Sequence, residues 1–286
     1  MVNNMLEDKH VIETTGLSKV TIKNGKVTEV SDPIVYNCPI FSKYLNIEKF
    51  DKEKIKNNIE YRIKSFGYCT KDRKVKLKDM LSVGISEILR SNVKLGNLDC
   101  VVGACDGVGT LIMTNPDIIQ GVGGRVSGLI STTPIPEVME KVGIENVVNP
   151  KTAELNPIKG LQKAIDQGYK KIGITLIPSP IAKEIREYPI PDDVKIYLFI
   201  AHTTNITKEL TEELFSVADI VTACASKNIR EYAEKHKPYY YGNNVPIYAA
   251  TDAGKMFLDE RLKDIGKKPS INKYPQDSSN IPNPLK

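Results

Sequence analysis

The sequence predicts an α/β fold: a mainly parallel sheet covered by helices on both faces, with an N-terminal β-ribbon and two helices packed on it. Three observations carry this. Short apolar strand-like runs alternate with helical patterns from residue 146 onward, which is the signature of βαβ units. The first thirty residues are instead β-rich and broken by Asn24-Gly25, a strong hairpin turn. Between these parts, residues 51–66 and 78–95 show the four-residue apolar spacing of helices.

In order along the chain, residues 10–15, 19–23 and 26–30 form the ribbon, which Asp32-Pro33 ends. The first helix places Ile55, Ile59 and Ile63 on one stripe, with Asp51 as N-cap and Gly67 as its stop. The second carries Met80, Leu81, Ile85, Ile88 and Leu89, and ends at Gly96. A strand at 98–104 runs into Cys105-Asp106-Gly107-Val108-Gly109, with a short strand expected at 111–113. A helical turn at 116–119, the glycine-rich stretch 121–128 and a short helix at 136–142 follow. Further strands are expected at 146–148, 171–176, 195–200, 219–222 and 245–248, and helices at 157–167, 181–187, 208–217, 227–236 and 253–265. Residues 1–266 read as a single domain, with the ribbon at 9–31 and the alternating core at 98–266. Residues 267–286, rich in Pro, Ser, Asn and Lys, read as an extended or disordered tail.

The totals exclude several function classes. The chain has 286 residues, a net charge of +5 and no Trp. Its lysines are spread without a basic stripe, which argues against nucleic-acid binding. No apolar run approaches the roughly 18–20 residues that span a bilayer, and residues 1–10 lack the apolar stretch of a signal peptide. A cytoplasmic location is expected, where thiols stay reduced. That favours metal or catalytic readings of the cysteines over disulfides.

Four of the five cysteines, Cys38, Cys69, Cys105 and Cys224, fall where elements end and loops begin. Ligands of open α/β sheets bind outside the carboxyl ends of the strands. Cys105, His202 and Cys224 each follow a strand and map to that edge. If the N-terminal segment covers the same edge, Cys38 and Cys69 join them. Four thiolates select zinc or an iron–sulfur cluster, although the cysteines are widely spaced and no Cys-x-x-Cys pair is present. Cys100, five residues before Cys105, faces the opposite side of the strand and reads as core.

Other chemistry fits the same edge. Cys224 precedes a helix that Ser226 can cap, which lowers a thiol pKa. With His202 as base it forms a nucleophile pair, and Cys105 with Asp106 competes for that role. Gly107, Gly109, Gly123, Gly124, Arg125 and Thr203 form a candidate anion site, since glycine lets backbone approach a phosphate or carboxylate closely and Arg125 pairs with it. Neither glycine loop matches a Walker A or dinucleotide fingerprint. The bland alternative is tight turns beside an ordinary arginine.

The segments His10-Val-Ile-Glu13, Phe66-Gly-Tyr-Cys-Thr70, Cys105-Asp-Gly-Val-Gly-Thr110, Gly121-Val-Gly-Gly-Arg-Val-Ser-Gly-Leu129, His202-Thr-Thr204 and Asp219-Ile-Val-Thr-Ala-Cys-Ala-Ser-Lys227 resemble the methanogenesis marker protein 8 family of methanogenic archaea. The likeness spans residues 9–262. It implies an accessory role in methanogenesis, in maturation or modification of methyl-coenzyme M reductase or its cofactors, with that enzyme or its maturation machinery as partner. It carries over no catalytic residue. The expectation is therefore a metal-binding accessory protein with Cys38, Cys69, Cys105 and Cys224 as ligands. The alternatives are an enzyme acting on a phosphorylated or carboxylated small molecule through Cys224, His202 and Asp106, and a non-catalytic scaffold.

Overall fold

The computed structural model describes residues 7–36, 49–125, 128–242 and 245–269. Two sheets organise them. The smaller is a four-stranded antiparallel sheet of order β3-β2-β1-β6. It consists of β1 (Lys9–Glu13), β2 (Lys19–Lys23), β3 (Lys26–Val30) and β6 (Gly128–Ser131). The expected ribbon thus gains a fourth strand from the end of the glycine-rich stretch. Helix α1 (Lys52–Phe66) lies on this sheet. Asp51 caps it by accepting from the Lys54 amide at 2.8 Å, and Gly67 stops it in the left-handed region at φ 72°. Its buried Ile55 and Ile59 meet Ile12, Val20 and Ile22 of the sheet, each contributing about 1.5–3 kcal/mol by burial.

The larger sheet has seven strands, ordered β10-β11-β9-β8-β7-β4-β5. Its middle is parallel: β4 (Cys100–Cys105), β7 (Lys171–Leu176), β8 (Lys195–Ile200) and β9 (Ile220–Thr222). Both margins are antiparallel hairpins. On one side β5 (Gly109–Met113) returns along β4; on the other β11 (Ile247–Ala249) and β10 (Tyr239–Tyr241) run against β9. The sheet is therefore parallel in its middle, as expected, and mixed as a whole. The expected strand at 146–148 is instead a 3₁₀ turn (Ile144–Asn146) followed by a single bridge between Leu111 and Val147.

Helices cover both faces, as expected. One face packs against α5 (Pro157–Asp166), α6 (Ile181–Arg186), α7 (Lys208–Val217) and α8 (Lys227–His236). The other packs against α2 (Ile85–Lys94), α3 (Pro116–Gly123), α4 (Pro136–Val142) and α9 (Asp252–Asp264). The second of the two early helices, α2, thus belongs to the large sheet and not to the ribbon. It is also shorter than the sequence pattern indicated. Cys100 and Cys105 fall in the cores of opposite faces, as their odd spacing requires. The tail beyond residue 269 lies outside the described residues.

The small sheet sits over the carboxyl edge of the large one. Three contacts fix it there. The Cys69 amide donates to Asp106 Oδ2 at 2.6 Å, at the end of β4. The Gly107 amide donates to Thr132 Oγ1 at 2.8 Å, and that hydroxyl meets His10 Nδ1 at 2.5 Å. Val35 packs on Ala225, just past β9.

Candidate functional site at the carboxyl edge

The parallel strands β4 and β7 are zipped at their amino ends and parted at their carboxyl ends. Asp99 begins the zip, donating its amide to the Lys171 carbonyl and accepting from the Lys170 and Lys171 amides. Pairing of β4 with β7 then stops at Val102–Ile174. Yet β4 stays paired with β5 up to Cys105–Gly109, and β7 with β8 up to Leu176–Ile200. Each strand holds its outer neighbour and leaves the inner one. Pro178 and Pro180 follow β7 and have no N–H with which to continue the ladder.

The gap is a crevice of about 240 Å³. Its floor includes Gly103, Ala104 and Thr175, and its walls include Leu89, Met113, Leu129 and Ile181. Ser86, Thr110, Ser179 and His202 supply polar groups. A largely apolar concavity with a few convergent polar groups is the usual form of a small-molecule site. Gly103 is a working part of it: a Cβ there would come within 2.8 Å of Met113 Cε and 3.1 Å of Thr175 Cγ2. Two of the bordering helices, α2 and α5, begin beside the crevice, with Ile85, Ser86 and Pro157 among its lining residues.

His202 stands at the lip. Its backbone is left-handed, at φ 58°, an uncommon conformation for a residue other than glycine or asparagine. The residue is solvent-exposed by area, yet protein surrounds it, as befits a group lining a deep cleft. That surrounding protein and the Arg62 guanidinium lower its imidazole from 6.5 toward about 4. Both influences act against the charged form, so the ring is neutral at pH 7. The next residue, Thr203, is buried; its hydroxyl donates to the Thr222 carbonyl at 2.5 Å and accepts from the Cys224 amide at 3.1 Å. This ties the loops after β8 and β9 together and brings Cys224 onto the loop beside His202. Cys224 is partly exposed, and its sulfur lies 3.7 Å from Thr222 Oγ1.

Among the described residues, Cys69, Cys105 and Cys224 do not converge on one point. Cys69 and Cys105 are both buried around Asp106 at the end of β4. Burial and the Asp106 carboxylate push both thiols up, so they are protonated. Cys224 follows β9, which stands three strand positions away from β4, or about 14 Å at the usual strand spacing. Cys38 lies outside the described residues. Among the described residues, no group of three or more His, Cys, Asp or Glu stands ready to hold a metal ion.

Asp106 is fully buried and ion-paired. Arg73, equally buried, donates Nε to Asp106 Oδ1 at 3.0 Å and to Oδ2 at 3.2 Å. Both carboxylate oxygens are committed, which makes the residue a clamp between the small sheet and β4. The glycine loops are also occupied. A Cβ on Gly107 would strike Ile135, and one on Gly109 would strike the Ala153 carbonyl, so both are glycine for close packing at positive φ (76° and 77°). Gly123 lines the crevice, while the Gly124 amide is taken by the Gln120 carbonyl.

Arg125 is half-buried over the Phe66 ring, 4.6 Å from its centroid, and Arg73 lies 5.2 Å from the same centroid. Sequence reasoning found Arg125 but missed Arg73, Ser86, Thr175 and the parting of β4 from β7. Gly103 within an apolar strand was the available signal, since an interior strand glycine often marks a close approach.

Fold and site together define a three-layer α/β protein with a ligand-sized crevice at the carboxyl edge of its central sheet. The chain belongs to DUF2099, a family described as an uncharacterized protein conserved in archaea, which matches residues 10–263. It is also 43% identical over 284 residues to "Uncharacterized protein MJ0054" of Methanocaldococcus jannaschii, covering 97% of this chain and 99% of that protein. No solved structure matches. Among the described residues, no helix is long and apolar enough to cross a membrane.

Proposed function

We propose that the protein binds a small organic molecule in the crevice between β4 and β7 and exchanges a proton with it through His202. The observation that carries this is the parting of two paired strands at the carboxyl edge, with the exposed His202 imidazole at the opening. A neutral imidazole at pH 7 is poised to accept a proton. Cys224, on the adjoining loop, is the nearest candidate for covalent work, and Asp106 supports the edge rather than reacting. A metabolite library screened by thermal shift tests the reading. Hits should disappear in Gly103→Val, which fills the crevice, and persist with altered turnover in His202→Asn, because asparagine tolerates the left-handed backbone. Hits that survive Gly103→Val would count against it.

A thiolate-held metal is the second reading, supported by Cys69 and Cys105 both lying against Asp106. Zinc or iron–sulfur ligation there requires both thiols to lose protons that the fold now holds. Anaerobic purification should then yield stoichiometric zinc or iron, lost in Cys105→Ala. Metal-free folded protein would refute it. The methanogenesis setting, with methyl-coenzyme M reductase or its maturation machinery as partner, rests on the sequence resemblance, and co-purification with that enzyme tests it.

A further inference from the structure

The crevice is lined without charge of either sign. Among the described residues that line it none is Asp, Glu, Lys or Arg, and its histidine, His202, is neutral at pH 7. Glu87, which follows Ser86 in α2, is not part of the lining. Its oxygens are met by the Leu81 amide, the Ser86 hydroxyl and the Gln120 side-chain amide. Arg125, just past Gly123, does not line the crevice either. An ion entering here would leave water and meet no counter-ion, which costs far more than burying an apolar or hydrogen-bonded group.

The polar groups of the lining are unevenly placed. Leu89 of α2, Met113 of β5, and Ile119 and Val122 of α3 give it a buried apolar part. Thr175 in β7, Ser179 just past it and His202 just past β8 come from the opposite strands of the crevice. Among the described residues no hydrogen bond engages the Thr175 or Ser179 hydroxyl or the His202 ring. The other two hydroxyls are in use. Ser86 Oγ donates to Glu87 Oε2 at 3.0 Å, and Thr110 Oγ1 accepts from the Asn156 amide at 2.8 Å. Free hydrogen-bonding capacity is therefore gathered at the ends of β7 and β8.

Volume limits the size of what enters. A cavity of about 150 Å³ holds benzene, so the crevice, at about 240 Å³, takes one ring with a short arm. Granted that the crevice is a ligand site, we infer that its ligand is an uncharged molecule of that size. The apolar body lies against Leu89, Met113, Ile119 and Val122, and a hydroxyl or carbonyl oxygen meets Thr175, Ser179 and His202. A single polar end suits the uneven lining, since a ligand polar at both ends would put one of them against aliphatic side chains. This sets the ligand apart from phosphorylated or carboxylated molecules, for which the described lining holds no cation.

Benzyl alcohol, benzoate and benzylammonium test this, since they share a ring with a one-carbon arm and differ in charge. Binding to the full chain at pH 7 is measured by calorimetry, and its place by amide shifts at Gly103 and Thr175. Benzyl alcohol should shift both residues and bind roughly 10-fold more tightly than either ion. Thr175→Val, which keeps the shape and removes the hydroxyl, should weaken benzyl alcohol about 3-fold and leave toluene unchanged. An ion that shifts the same residues and binds as tightly as the alcohol overturns the uncharged-ligand inference and keeps the crevice reading. Equal losses for toluene and benzyl alcohol in Thr175→Val overturn the placing of the polar end. Binding that leaves Gly103 and Thr175 unmoved, or no binding by any probe, overturns the crevice reading and this inference with it.

Discussion

Asp106→Ala is expected to be among the most destabilising single changes in the chain, for reasons visible in the Arg73–Asp106 pair. Neither side chain has any exposed surface. Removing the carboxylate leaves a guanidinium charge buried without compensation, which costs about 3–5 kcal/mol in comparable pairs. It also strips the Cys69 amide of its acceptor, and an orphaned buried donor costs about 1–3 kcal/mol. These terms share atoms and do not add fully, so a loss of about 4 kcal/mol is expected. Asp106→Asn keeps one acceptor for Cys69 and should lose less. The double change Arg73→Met/Asp106→Leu, which removes the charges together, should recover most of the loss. Urea unfolding followed by circular dichroism measures all three. A loss under about 1 kcal/mol for Asp106→Ala, or a double change no better than the single one, would refute the assignment of Asp106 as a clamp and reopen it as a reacting group.

Burial and exposure of the thiols and of His202 set further outcomes. Cys69, Cys100 and Cys105 have thiol pKa values raised by burial, Cys100 to about 12. The fold therefore holds these protons beyond the unfolded value of about 8.5, so their stabilisation is full below that pH and falls above it, by about 1.4 kcal/mol per pH unit for each thiol. Denaturation between pH 9 and 11 should show this slope reduced in Cys100→Ala; an unchanged slope would contradict it. The His202 ring should titrate below 6 by NMR, and an inflection at or above 6.5 would show that protein and Arg62 do not act on it. With Cys38 replaced by serine, Cys224 should be the thiol that reacts with Ellman's reagent in the folded protein, since the other described cysteines are buried. Three further thiols reacting at the same rate would contradict the burial.

Much of the fold was legible because periodicity reports burial. The parallel strands and their helices stand close to where the apolar runs placed them, and Cys100 and Cys105 divide between the faces as strand alternation demands. The margins were harder. The run Tyr239–Tyr241 shows no alternation that separates an edge strand from a loop, and no Asn-Gly pair follows it in the sequence. Gly128–Ser131 looked like loop because glycines precede it, yet Gly121 and Gly123 lie within α3, where Gly121 lets the helix approach the Val75 carbonyl. The edge itself was legible: strand ends placed Cys105, His202 and Cys224 there. How far apart they stand was not, because strand order is set by tertiary pairing. The Arg73–Asp106 clamp joins residues 33 positions apart, and no local pattern announces such a pair.

The central claim is that the parted ends of β4 and β7 receive a small molecule. Titrating ¹⁵N-labelled protein with phenol measures this at each residue. Shifts should concentrate at Ser86, Gly103, Thr175 and His202, and vanish in Gly103→Val. Shifts scattered over the surface, or a crevice response that survives the filled glycine, would contradict it.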